Sequence, residues 1–174
     1  MKKEIIKPIA VLVGICLVVT AMLAYINSVT APIIKAAEEK TASEARAEVL
    51  SEADSFELMK VKNLPECVEE VYKAKNNAGF VFMLKVKGYG GDMKLICGIK
   101  SDGKIEQSKT LSHSETSGLG SKTAEDKYRK QYSGKDSKTV NEVDAISGAT
   151  ISSTAYKKAI NDAFKAYDMV KEAR

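Results

Sequence analysis

A long uncharged segment near the amino terminus places the strongest constraint on what this chain can fold into. No charged residue occurs between Pro8 and Ile34, and residues 9–26 are apolar apart from Thr20. At a helical rise of about 1.5 Å per residue, residues 9–26 would span roughly 27 Å, close to the thickness of the hydrocarbon layer of a membrane. The sequence therefore predicts a transmembrane helix.

A cleaved signal peptide is the competing interpretation of this segment. Residues 28–31 are compatible with a cleavage site, but the apolar run exceeds the usual signal-peptide core of about 7–15 residues. The flank before the segment is net positive, with Lys2, Lys3 and Lys7 against Glu4, whereas residues 35–40 after it hold two lysines and two glutamates. This asymmetry favours a cytoplasmic amino terminus. We expect a single-pass anchor in the cell (inner) membrane, with the rest of the chain outside the cytoplasm.

The remaining residues have the composition of one globular domain. Of the 174 residues, 44% are hydrophobic and 29% are charged, which allows a packed core. The formal net charge is +4, and basic residues are interleaved with acidic ones. The chain therefore lacks the basic stripe of a nucleic-acid-binding protein, and no nucleic-acid partner is expected.

Histidine and cysteine usage limits the metal and disulfide chemistry of the chain. His113 is the single histidine and no C-x-x-C pair occurs, so the sequence predicts no metal site. Cys16 lies inside the apolar segment. We expect Cys67 and Cys97 to be free buried thiols; a disulfide between them is the alternative in an oxidising compartment.

Four β-rich segments follow one another as two hairpins. Their limits are 67–74, 79–87, 93–100 and 104–111. Asn76 and Asn77 lie between the first two segments, and Asp102 and Gly103 lie between the last two. These residues favour tight turns, so the sequence predicts an antiparallel sheet.

Helical patterns lie on both sides of these strands. Residues 33–50 are rich in Ala, Glu and Lys and predict a helix that leaves the membrane. Residues 123–132 predict a short helix with a capping-box-like start at Thr123 and Asp126. The last helix is amphipathic, and its apolar face consists of Tyr156, Ile160, Ala163, Phe164, Tyr167 and Val170. We predict an α+β fold in which helices pack on one side of the antiparallel sheet.

The segment that carries the chemistry precedes this last helix. It reads Asp144-Ala145-Ile146-Ser147-Gly148-Ala149-Thr150-Ile151-Ser152-Ser153. Gly148 and Ala149 allow the backbone to approach a ligand, and the first helical turn presents unpaired N–H groups and the positive end of the helix dipole. Hydroxyl groups on Ser147, Thr150 and Ser152 add further donors. These features suit a phosphate group, but Ser or Thr before a helix is also the usual N-cap, and the residue types alone leave both interpretations open.

The segment resembles a known attachment sequence for flavin. The pattern Asp144-x-x-Ser147-Gly148-Ala149-Thr150-x-Ser152 is similar to that of FMN-binding domains in the Rnf and Na⁺-translocating NADH:quinone reductase complexes. In that family a flavin transferase esterifies a threonine with the phosphate of FMN. The resemblance implies that Thr150 is the acceptor.

A second segment resembles the same family. His113-Ser114-Glu115-Thr116-Ser117-Gly118-Leu119-Gly120 is similar to its His-x-Glu-Thr-Pro-Gly-Leu-Gly loop, with Ser117 in place of the usual proline. The resemblance implies that this loop lines the flavin pocket. The site residues expected from both segments are Thr150, Ser147, Gly148, Ala149, Ser152, Glu115, Thr116, Gly118, Leu119, Gly120 and His113.

With the anchor, the resemblance covers nearly the whole chain and fits the G-subunit branch of the Rnf family best. It implies an electron-transfer subunit, not catalytic alone, in a complex that couples ferredoxin oxidation and NAD⁺ reduction to Na⁺ or H⁺ translocation. The expected partners are the other subunits and the flavin transferase. The alternatives are a standalone flavinylated extracytoplasmic electron carrier and a cofactor-free anchored binding module. The expected division is 1–27 for the cytoplasmic tip and anchor, 28–55 for a helical stalk, and 56–174 for the FMN-binding domain.

Overall fold

The computed structural model describes residues 2–172 and begins with one long helix. Helix α1 spans Lys2–Val49 and contains Pro8 and Pro32. An 18-residue window of this helix has a mean hydropathy of 2.7, and none of the window is buried. The length and composition of α1 therefore meet the requirements of a membrane span. The chain divides into two compact units, one ending at Thr41 and one beginning at Ala42.

The second unit contains a five-stranded antiparallel meander. The strands are β1 (Phe56–Met59), β2 (Val68–Ala74), β3 (Gly79–Lys87), β4 (Asp92–Lys100) and β5 (Ile105–Ser112). Each strand pairs with the next, so that the spatial order equals the chain order. The four predicted strands are confirmed to within about one residue at each end, as expected for boundaries of this kind.

Strand β1 was not predicted. It has four residues and joins the sheet by pairing with β2. The pairing runs from Phe56 opposite Ala74 to Met59 opposite Val71. So short a strand carries too few positions for an alternating pattern to be recognised.

Short helical turns connect the sheet to the last helix. They comprise 3₁₀ turns at Gly120–Ala124, Lys130–Tyr132 and Val140–Glu142, and helix α2 at Asp126–Arg129. The predicted capping box is wrong, because Glu125 is the N-cap of α2 and makes no side-chain capping bond. Thr123 is buried instead, and its hydroxyl donates to the Gly120 carbonyl over 2.7 Å.

Helix α3 (Thr150–Glu172) packs on one face of the sheet. The predicted apolar face is confirmed, since all of its members are buried in the main core: Tyr156, Ile160, Ala163, Phe164, Tyr167 and Val170. They meet alternate residues of the central strands, including Phe80, Phe82 and Leu95. The free thiols of Cys67 and Cys97 lie in the same core.

The end of α1 covers the opposite face of the sheet. Ala45, Val49 and Leu50 pack with Val81 and Ile96 in a second apolar cluster. The α+β class and the antiparallel sheet are confirmed, but the expectation that helices pack on one side alone is wrong. The predicted limits of anchor, stalk and domain, at residues 27 and 55, stay predictions.

Gly98 permits this second layer. A Cβ atom at Gly98 would lie 2.1 Å from the carbonyl oxygen of Val49 and 2.7 Å from its carbonyl carbon. Both are backbone atoms, so an added side chain could be accommodated only by moving the end of α1 away from β4.

Replacing Gly98 by Ala should therefore destabilise the second unit by about 1–3 kcal/mol, since overpacking forces a backbone shift. The measurement is chemical denaturation of the full chain in detergent. Gly14→Ala is the matched control, because no atom lies within 4 Å of the added Cβ. A Gly98→Ala variant as stable as Gly14→Ala would contradict the close packing of α1 on β4.

Candidate functional site

The loop before α3 turns sharply and leaves the start of the helix open. Gly148 has a φ of 78°, in the left-handed region that favours glycine, and the Ala149 N–H donates to the Ile146 carbonyl over 2.9 Å. The first intrahelical bond runs from the Ser153 N–H to the Ala149 carbonyl, also over 2.9 Å. The N–H groups of residues 150–152 precede this bond, so the helix cannot supply their acceptors. They form the positive end of the α3 dipole.

Two hydroxyl groups at this junction have opposite roles. Ser153 is buried, and its hydroxyl accepts from the Ile146 N–H over 3.0 Å and donates to the Ala149 carbonyl over 2.8 Å. Thr150 is exposed, and within residues 2–172 its hydroxyl has no hydrogen-bond partner. Ser153 therefore stabilises the junction, while the Thr150 hydroxyl makes no capping bond and is available to a ligand.

Thr150 lies in the wall of a cavity of about 390 Å³. Most of the predicted site residues line this cavity: Glu115, Thr116, Leu119, Gly120, Gly148, Ala149, Thr150 and Ser152. Two further residues complete it, Tyr89 and Ile151. Neither was among the predicted site residues; for Ile151, the available signal was an apolar residue among hydroxyl-bearing ones at a helix start.

Three predicted residues do not line this cavity. His113 lies at the start of the same loop, where its Nδ1 accepts from the Glu115 N–H over 3.2 Å. Gly118 has a φ of 75° and donates its N–H to the Ser121 hydroxyl over 2.9 Å. Ser147 is exposed in the loop before α3. His113 and Gly118 thus shape the loop, and their contact with a ligand stays a prediction.

The cavity wall combines apolar and polar surface. Tyr89, Leu119 and Ile151 remain 71%, 47% and 58% exposed, respectively, although all three are large apolar side chains. Beside them, the carboxylate of Glu115 is buried and accepts from the Ser152 hydroxyl and the Gly90 N–H. Exposed apolar side chains around a few converging polar groups are typical of a ligand site.

A second cavity, of about 600 Å³, shares Thr150 and Ile151 with the first. It lies between the first turns of α3 and the ends of β2 and β3, and its charges are largely paired. Lys158 contacts Glu66 over 2.7 Å, and Lys85 contacts Asp92 over 3.1 Å, which raises the pKa of Lys85. Thr150 thus stands between two cavities.

Cys67 lines the second cavity as a protonated thiol. Burial, followed by its contact with Asp162, raises the pKa of Cys67 to about 11. At neutral pH the thiolate fraction is therefore very small, and Cys67 is no candidate nucleophile.

Comparison with known proteins identifies this part of the chain. Residues 88–165 match the FMN-binding domain family, and they include all of the residues that line the smaller cavity. The G subunit of the Na(+)-translocating ferredoxin:NAD(+) oxidoreductase complex from Acetobacterium woodii is 32% identical, over 95% of this chain and 92% of the relative. The G subunit of an ion-translocating oxidoreductase complex from Methanosarcina acetivorans is 33% identical, over 92% of this chain and 93% of the relative. The chain belongs to the G-subunit family of ion-translocating oxidoreductase complexes.

Another relative in this G-subunit family is named for a different ion. The G subunit of the proton-translocating ferredoxin:NAD(+) oxidoreductase complex from Clostridium ljungdahlii is 26% identical, over 85% of this chain and 83% of the relative.

The residues of this G-subunit chain fit an FMN. The unpaired N–H groups at the start of α3 suit the phosphate, since a helix amino terminus attracts anions. Tyr89, Leu119 and Ile151 offer apolar surface of the kind that a flavin ring requires.

The two hydroxyl groups of this junction should differ in their effect on stability. Ser153→Ala should lower the free energy of unfolding by about 1–2 kcal/mol, because it leaves the partly buried Ile146 N–H without its acceptor. Thr150→Val should change it by less than about 0.5 kcal/mol, because the lost hydroxyl is exposed and unpaired. Chemical denaturation of flavin-free full chain measures both. Equal losses of unfolding free energy in the two variants would show that the Thr150 hydroxyl stabilises the start of the helix.

Proposed function

We propose that this chain relays electrons as the G subunit of an ion-translocating ferredoxin:NAD(+) oxidoreductase complex, through an FMN attached covalently to Thr150. The observation that carries the proposal is the free, exposed Thr150 hydroxyl at the start of α3, inside the part of the chain that matches the FMN-binding domain family. The unpaired N–H groups beside it favour a phosphate at the same place.

Attachment joins the Thr150 Oγ1 to the phosphorus of FMN by an ester bond, while the phosphoanhydride bond of a flavin dinucleotide donor breaks at the same phosphorus and a nucleoside monophosphate leaves. The hydroxyl loses its proton, and the modified chain exceeds the unmodified one in mass by one FMN less one water. A flavin transferase is the expected catalyst, because the described surroundings of Thr150 include no base in hydrogen-bond contact with its hydroxyl. Accessibility of the hydroxyl is the condition that such a partner requires, and Thr150 meets it.

The bound FMN supplies the electron-transfer chemistry, and the chain supplies placement and electrostatics. Tyr89, Leu119 and Ile151 would offer apolar surface to its ring, while the small residues Gly148 and Ala149 would let the backbone approach its phosphate. The sequence has no G-x-G-x-x-G fingerprint for a dinucleotide. Because the relatives are single subunits of larger complexes, the proposed role is that of an electron-transfer component.

The relatives support a role in electron transfer rather than in the choice of ion. A G subunit occurs in a complex named for Na(+) translocation and in one named for proton translocation. A component common to both is expected to serve the step common to both, which is the passage of electrons.

Helix α1 is the proposed membrane anchor. Its apolar window is unburied within the described residues, and the complexes of the relatives are named for ion translocation, which requires a membrane. Lys2, Lys3 and Lys7 favour a cytoplasmic amino terminus. The FMN-binding domain then lies outside the cytoplasm, where a covalent bond prevents loss of the cofactor by dissociation.

Co-expression of the full chain with a flavin transferase tests the covalent bond. Wild-type protein should give a fluorescent band in a denaturing gel under ultraviolet light and an intact mass raised by one FMN less one water. Thr150→Val should give neither, because it lacks the acceptor oxygen.

Thr154→Val is the matched control. Thr154 is an exposed threonine one turn further along α3, in the wall of the larger cavity, and its loss should leave the fluorescent band intact. A fluorescent band that persists in Thr150→Val would contradict the assignment of Thr150 as the acceptor. Wild-type protein from its native membrane without flavin would refute the relay itself and favour a cofactor-free module.

A further inference from the structure

Glu115 is a buried carboxylate whose two oxygens both have protein partners. It is 8% exposed. Its Oε1 accepts from the Gly90 N–H over 3.1 Å, and its Oε2 accepts from the Ser152 hydroxyl over 2.5 Å. Within residues 2–172, no cationic side chain pairs with this carboxylate.

A buried charge without a cation is costly unless other groups compensate it. Here the compensation comes from two hydrogen bonds to a charged acceptor and from the first turn of α3, where Ser152 lies. The positive end of the helix dipole stabilises an anion at this place. These groups therefore hold the Glu115 side chain in one place, with both of its oxygens engaged.

The surrounding glycines make room for this carboxylate. A Cβ atom at Gly88 would lie 2.1 Å from Oε1, and one at Gly120 would lie 2.3 Å from Oε2. At Gly90 the added atom would meet the backbone oxygen of Ser114 at 2.2 Å. Any larger residue at these positions would displace Glu115 or the loop that carries it.

The partners of Glu115 belong to three separate segments that carry the walls of the smaller cavity. Gly90 lies in the turn between β3 and β4, next to Tyr89; Ser152 lies in the first turn of α3, near Thr150. Glu115 itself lies in the loop that continues to Leu119. One side chain thus links all three walls.

We propose that Glu115 is the positioning residue of the flavin site, acting through Gly90 and Ser152 to hold Tyr89 and Thr150 at one cavity. It is not a phosphate ligand, because both oxygens are engaged and like charges repel. The inference rests on the proposed function, since it concerns FMN attachment at Thr150. Because the carboxylate lines the cavity, its negative charge would also disfavour electron uptake by a flavin ring held there.

Three variants distinguish the effect of the hydrogen bond between Ser152 and Glu115 from the effect of the negative charge on Glu115. Glu115→Gln keeps the shape but removes the charge and replaces one acceptor by a donor. Ser152→Ala removes the bond but keeps the charge. Glu125→Gln is the matched control, because Glu125 is an exposed carboxylate outside the cavity.

The first readout is the rate of FMN attachment to the full chain by the flavin transferase. We expect Glu115→Gln and Ser152→Ala to slow attachment about tenfold, the effect of losing one hydrogen bond to a charged group. The double variant should be no slower than the slower single variant, because both act through one contact. Glu125→Gln should match wild type.

The second readout is the midpoint potential of the attached flavin. Glu115→Gln should shift it to more positive values, since removal of a nearby negative charge favours reduction. Ser152→Ala should leave it close to the wild-type value, because the carboxylate remains.

The third readout needs no flavin. In full chain made without the transferase, amide hydrogen exchange at residues 88–91 and 150–153 should be faster in Glu115→Gln and Ser152→Ala than in Glu125→Gln. The link between the turn and the helix is weakened in Glu115→Gln, which loses the charge of the acceptor, and broken in Ser152→Ala, which loses the donor, whereas Glu125→Gln keeps it intact.

If Glu115→Gln and Ser152→Ala both gain flavin and exchange amide hydrogens at the rates of the wild-type chain, the positioning role is overturned. Flavin attached to the wild-type chain would still uphold the proposed function in that case. A wild-type chain that gains no flavin overturns the proposed function and this inference with it. If Glu115→Gln does not fold, Ser152→Ala decides the positioning role by its attachment rate and its exchange.

Discussion

The burial of one face of α3 against the sheet is the interaction on which the rest of the domain depends. Tyr156, Ile160 and Phe164 are fully or almost fully buried against alternate residues of the central strands. Each such side chain contributes about 1.5–3 kcal/mol through the removal of apolar surface from water. Because these contacts fix the helix axis, they also fix where the helix begins. The position of Thr150 is therefore a consequence of core packing several residues away.

At that fixed point the chain divides two tasks between neighbouring hydroxyl groups. Ser153 faces the core side of the junction and satisfies the Ile146 N–H and the Ala149 carbonyl. Thr150, three residues earlier, is on the exposed side, and its hydroxyl has no hydrogen-bond partner within residues 2–172. A helix start whose stability depends on one hydroxyl can leave the other free for chemistry. In the proposed function, this separation would let Thr150 carry a flavin at a helix terminus without weakening the fold.

Features with a local cause were predictable from the sequence, and features that depend on long-range contacts were not. The paired strands and the apolar face of α3 follow from periods of about 2 and 3.6 residues. The loop at residues 113–120 and the segment at residues 144–152 were linked by resemblance, and the structure brings most of their residues to one cavity. By contrast, β1 is too short to carry a pattern, and the packing of α1 on the second face depends on a single glycine, Gly98, distant in sequence from Val49. The resemblance assigned Glu115 to the site, but its hydrogen-bond partners were not predictable, because Gly90 and Ser152 lie far from it along the chain.

In the proposed function, the open site and the covalent bond both follow from the need to exchange electrons with partners at the surface. A relay must exchange electrons with partners at its surface, which favours a cavity whose apolar walls stay partly exposed, as Tyr89, Leu119 and Ile151 do. The same exposure limits the apolar surface that a freely bound flavin could bury, and hence its affinity. An ester at Thr150 removes this conflict, because the cofactor then stays in place regardless of how tightly the walls hold it. The walls are left to orient the flavin and to set its electrostatics, and a buried carboxylate that links them is suited to both.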